Sequence, residues 1–193
     1  MTVEEAVEKL KQKMKTYWGE QERKREQMVL EQYGPIFKRE NIQNLTKEQF
    51  LSFLTFKGKY GYCGNRHWKH IARHSGELTR DMKKLRKGLD KFLDESIDIS
   101  VRLRDIKQIK GFGKATLTPI LYISSPEKYG IFNKKTKKGM INTGIYPQGM
   151  EGAPIYEIYP IINEKLHNLK KKYNLSFWFV DCLWPMINRV FKP

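Results

Sequence analysis

"IKGFGKATLTPIL", residues 109–121, sets Gly111 and Gly113 on either side of Phe112, between two stretches with helical spacing. A glycine inside a helix costs about 1 kcal/mol relative to alanine, so two of them flanking one apolar residue predict a turn. Either the chain reverses there or something must come close to that backbone. Upstream, Ile97, Val101, Leu103 and Ile106 lead into the turn at helical intervals. Downstream, KATLTPILYI reads as a buried helix in which Pro119 kinks the backbone or confines regular hydrogen bonding to the later part.

The rest of the chain carries the same period. Val3, Val7, Leu10, Met14, Tyr17 and Trp18 recur at helical spacing, GEQERKREQ is polar all round, and MVLEQYGPIF is apolar again. One long or broken helix over about 3–32 is expected, within an N-terminal helical extension over residues 1–40. Thr46 with Gln49 forms a capping box for a helix that buries Phe50, Leu51 and Leu54. Leu78, Met82, Leu85, Leu89 and Phe92 mark an amphipathic helix of about 77–94. GMINTGIYPQGMEGAP reads as loop, Ile162, Leu166, Leu169 and Tyr173 as a helix, and SFWFVDCLWPMI as a dense apolar terminal segment. No segment alternates like a strand. The expected fold is all-α: residues 1–193 as one helical domain, compatible with two lobes, around a core at 97–140.

Charge narrows the partner. Lys and Arg number 37 against 21 Asp and Glu, a formal net charge of +16. Such self-repulsion favours a polyanionic partner, nucleic acid first. Residues 101–140 hold ten basic and two acidic groups, half of the whole excess, in the forty residues that contain the glycine pair. Two cysteines, Cys63 and Cys182, are too few for a disulfide scaffold and suit a reducing, cytoplasmic setting. The N-terminus lacks the pattern of a signal peptide and no run of 18 apolar residues occurs, so no membrane association is expected.

A helix pair joined by a Gly-apolar-Gly turn presents backbone N–H groups from the turn and from the second helix's first residues, a geometry that cradles phosphate. Lys110 and Lys114 flank Gly111, Phe112 and Gly113, and Phe112 would plug the turn into the core. In this the chain resembles the helix-hairpin-helix DNA glycosylase superfamily of base-excision repair enzymes, over roughly residues 97–140. The resemblance implies a helix-hairpin-helix bundle, double-stranded DNA as partner and recognition or excision of a damaged or modified base. It also implies a catalytic aspartate about twenty residues after the hairpin, after an apolar pair. Here Ile131-Phe132-Asn133 fall at that place, so an amide stands where the family has a carboxylate. The lyase-type members carry a nucleophilic lysine two residues after the second glycine, where this chain has Ala115. Lys114 is about 100° away around a helix.

Further clusters suit the same partner. Lys134, Lys135, Lys137 and Lys138 follow Asn133 and would extend a phosphate track, or form a solvated turn. Tyr60, Tyr62 and Trp68, interleaved with Arg66, Lys69 and Arg73, are candidates for a base-stacking wedge; Trp68 also reads as core. Cys63, His67, His70 and His74 match no standard zinc motif, so no metal and no cofactor are expected. Asp181, inside WFVDCLWPM, is the carboxylate for general acid or base work with Asn133 positioning water, or a buried helix cap. The competing reading is a non-catalytic RNA-binding or protein-assembly module that uses the N-terminal helix to hold a protein partner.

Overall fold

Thr2 opens the first helix with a capping box: its hydroxyl accepts from the Glu5 N–H, and the Glu5 carboxylate accepts from the Thr2 N–H. This helix, α1 (Val3–Met14), begins a computed structural model that describes residues 1–55 and 75–190. There follow α2 (Tyr17–Tyr33), a 3-10 helix (Arg39–Asn44) and α3 (Lys47–Thr55). The Thr46–Gln49 capping box forms as expected, with bonds of 2.9 and 3.1 Å. Beyond residue 74 come α4 (Ser75–Leu78), α5 (Met82–Phe92), α6 (Ile99–Ile106) and α7 (Lys114–Ser124). The chain ends with α8 (Lys134–Asn142), α9 (Ile155–Tyr173) and α10 (Phe177–Val190). Every regular element among the described residues is helical, so the fold is all-α.

The amphipathic segment expected over 77–94 is split, because Asp81 caps a new helix through the Lys84 N–H at 2.9 Å. Asp98 likewise starts α6 by accepting from Ser100 and Val101. Pro119 lies within α7, whose helix continues around it. The stretch from Gly139 to Asn142, expected as loop, is the end of α8. A Cβ on Gly139 would sit 2.5 Å from Trp184, so glycine there lets α8 close against α10.

One apolar cluster runs through the described residues, from Val3, Val7 and Leu10 of α1 to Trp184 and Ile187 of α10. The N-terminal forty residues pack into this cluster: α1 lies against α10, and Val29, Tyr33 and Phe37 are buried with the rest. Burying each large apolar side chain contributes about 1.5–3 kcal/mol, which a free arm would forgo. Residues 19–27, GEQERKREQ, carry no apolar side chain.

That stretch buries acids. Glu22 is 4% exposed and accepts from Arg25 at 2.7 Å and from the Trp178 indole N–H at 3.2 Å. Glu26 accepts from the Tyr122 hydroxyl at 2.7 Å and the Ser176 hydroxyl at 3.1 Å, tying α2 to α7 and α10. Burial pushes the Glu26 carboxyl above its ordinary 4.5, although both hydroxyls oppose the shift. A carboxyl raised on folding stabilises fully below its unfolded value, and that contribution is lost as pH rises through the folded value. Glu26→Gln, which keeps the shape without the charge, should therefore unfold at higher denaturant than the parent at pH 7. The difference should close below about pH 4.5; a gap independent of pH would contradict the assignment.

Candidate nucleic-acid interface

The turn after α6 is built from short-range bonds: Gln108 N–H to Asp105 O, Ile109 N–H to Ile106 O and Phe112 N–H to Ile109 O. Gly111 has φ 101°, the left-handed region that favours glycine, which accounts for the first glycine of the pair. Phe112 is buried and meets Phe50 edge-on at 6.3 Å, the plug expected from the sequence. The Lys107 ammonium donates to the Phe112 carbonyl at 2.8 Å and closes the turn, a role no local motif signalled.

Gly113 differs. Its φ of −135° is open to any residue, and a Cβ there would meet nothing within 4 Å among the described residues. Neither backbone conformation nor internal crowding calls for glycine at this position. Its carbonyl takes the Thr116 and Leu117 N–H groups at 2.9 Å each, so α7 begins here. Among the described residues the N–H groups of Gly113, Lys114 and Ala115 are the unfilled donors that a helix start carries. All three residues are partly exposed.

Thr118 joins this helix start to the segment that precedes α8. Its hydroxyl accepts from the Phe132 N–H at 3.0 Å and lies within donating reach of the Lys114 and Phe132 carbonyls. The N-termini of α7 and α8 are thereby held as neighbours. Lys114 is half-buried, with its ammonium 4.6 Å from the centre of the Phe132 ring. Burial, and after it the charge of Lys137, hold this ammonium below its ordinary 10.5.

A nearby phosphate would favour the charged form. In a pH titration followed by the side-chain nitrogen signal, Lys114 should lose its proton at lower pH than exposed lysines and move back up when short duplex DNA is added in excess. No upward movement would place the anion elsewhere.

The sequence-predicted lysines divide by environment. Lys110 is 84% exposed and pairs with Glu77 at 2.7 Å. Lys134, Lys135 and Lys138 are exposed, whereas Lys137 is partly buried, donates to the Glu151 carbonyl and lies 5.2 Å from the Tyr146 ring centre. Glu77 as a partner of the turn had no sequence signal, being 33 residues away and without a motif.

Asn133 and Asp181, singled out 48 residues apart, meet. The Asn133 side-chain Oδ1 accepts from the Lys135 and Thr136 N–H groups at 2.7 and 3.1 Å, capping α8. Its amide nitrogen donates to Asp181 at 3.0 Å, and the Thr136 hydroxyl lies 3.3 Å from the same carboxylate oxygen. Asn133 is 7% and Asp181 3% exposed. Both polar atoms of the amide are engaged inside the protein, where they fix the direction of the lysine-bearing helix.

Tyr60, Tyr62 and Trp68, with Cys63, His67, His70 and His74, lie outside the described residues. Among the described residues no group of His, Cys, Asp or Glu could hold a metal ion, and no helix is long and apolar enough to cross a membrane. No family model, curated protein or solved structure matches the chain.

Proposed function

We propose that this is a DNA-binding protein with a core like that of the helix-hairpin-helix glycosylases, gripping the phosphate backbone of a duplex through the turn 110–114 and the lysines of α8. The observation that carries the reading is Gly113, a glycine the fold does not need, at the start of an eleven-residue helix among lysines. A bare position there lets a phosphate reach the N–H groups of the helix start. Lys114, Lys134, Lys135 and Lys138 supply the charge, and backbone contacts of this kind set register without reading sequence.

The state of Asn133 favours recognition of a base without excision. The amide that stands where the resembling family has its carboxylate is consumed as a cap, and Asp181, the acid its nitrogen donates to, is buried. The experiment is a panel of labelled duplexes, each with a single damaged, mismatched or methylated base, scored for retention and for alkali-sensitive strand breaks with and without chelator. Retention without breaks is expected. Breaks at one kind of base, lost in Asp181→Asn, would instead make the protein an enzyme, and no retention of any duplex would sink the reading.

A further inference from the structure

Beside the turn, α5 and α6 enclose a cleft with a cavity of about 230 Å³. Gly88 and Ile109 give it an apolar floor over the buried Phe92 and Ile106, and the exposed Lys84 and Lys87 stand at its rim. A Cβ on Gly88 would come within 2.4 Å of the Ile109 side chain and 3.1 Å of the Ile106 side chain, so the bare α5 backbone leaves room for both. Lys84 and Lys87 form no ion pair among the described residues, whereas Lys91, on the same wall, pairs with Asp105. Arg102 also lines the cleft and is 3% exposed. Two of its nitrogens donate, to the Phe92 carbonyl at 3.0 Å and the Tyr129 hydroxyl at 2.8 Å, while its buried Nε has no hydrogen-bond partner among the described residues.

Gln108 and Ile109 belong both to this cleft and to the turn that ends at Gly113. We propose that the cleft receives one unpaired nucleotide of the strand whose phosphate the turn holds, so that a tailed or gapped duplex is preferred over a fully paired one. The proposal rests on the backbone grip proposed above. An apolar ligand would have no use for two exposed ammonium groups, and a simple anion none for an apolar floor; a nucleotide has a flat apolar face and a phosphate together. A base in a duplex has both faces covered by its neighbours, so only an unpaired one offers its face to Ile109 and the bare backbone at Gly88. Lys84 and Lys87 then meet the flanking phosphates.

The test compares a paired duplex with the same duplex carrying a 2-aminopurine overhang at either strand end. The expected result is about tenfold tighter binding of one tailed form, with a change in 2-aminopurine emission on binding. Lys87→Ala and Gly88→Leu should bring the ratio of tailed to paired affinity close to one. Lys87 is exposed, so its variant reads the cleft even where Gly88→Leu disturbs packing. Equal affinity for tailed and paired DNA, with emission unchanged, overturns the cleft and leaves the backbone grip standing. Binding of neither DNA overturns both.

Discussion

Gly113→Asp should leave the fold as stable as the parent, or slightly more so, while weakening duplex binding by a hundredfold or so. Aspartate is among the best residues at a helix N-cap, and at φ −135° and ψ 171° its side chain can accept from the first turn of α7. The same carboxylate would fill the donors and set a negative charge where the phosphate is proposed to sit. Losing two charge-assisted hydrogen bonds costs about 1.5–3 kcal/mol each, enough for a hundredfold change. Gly113→Ser separates the two effects, since it caps without charge and should weaken binding less. Gly111→Val is the converse case: at φ 101° a β-branched residue is strained by about 1–3 kcal/mol, and thermal stability should fall. If Gly113→Asp instead unfolds the protein, glycine at 113 serves the fold, and the observation that carries the proposed function disappears.

Asp181→Ala should be among the most destabilising single substitutions in the protein, costing about 2–4 kcal/mol in denaturant unfolding. It strips the Asn133 amide nitrogen of its acceptor and removes a partner from the Thr136 hydroxyl, both in a buried setting where an unsatisfied donor costs about 1–3 kcal/mol. It also opens a space between α8 and α10, which pack closely at Gly139 and Trp184. Asp181→Asn, which can still accept from Asn133, should cost less. A loss below about 0.5 kcal/mol in Asp181→Ala, the range of ordinary surface substitutions, would mean that the Asn133–Asp181 contact does not hold α8 in place.

What the sequence disclosed was local. The Thr46–Gln49 box, the Phe112 plug and the helical period are set by residues within a few positions of one another, and each formed as expected. The unread features join distant segments. Glu22 and Glu26 sit in a stretch that is polar on every face, and only Trp178, Tyr122 and Ser176 make a buried side of it. The last turn of α8 was hidden because Gly139, which weakens a helix in isolation, is required by Trp184 far along the chain. Asn133 and Asp181 were each visible as odd residues, but their pairing belongs to the packing of α8 on α10. Lys110 was legible as a charge beside the glycines; Glu77, its partner, was not.

The most direct measurement is the salt dependence of binding to a short labelled duplex of arbitrary sequence. If the turn and the α8 lysines hold phosphates, the logarithm of the affinity falls linearly with the logarithm of salt concentration, with a slope of about −3 to −5 for four or five contacts. Lys134→Ala with Lys138→Ala should flatten that slope by about two. Binding that ignores salt, or no binding at low salt, would contradict the account.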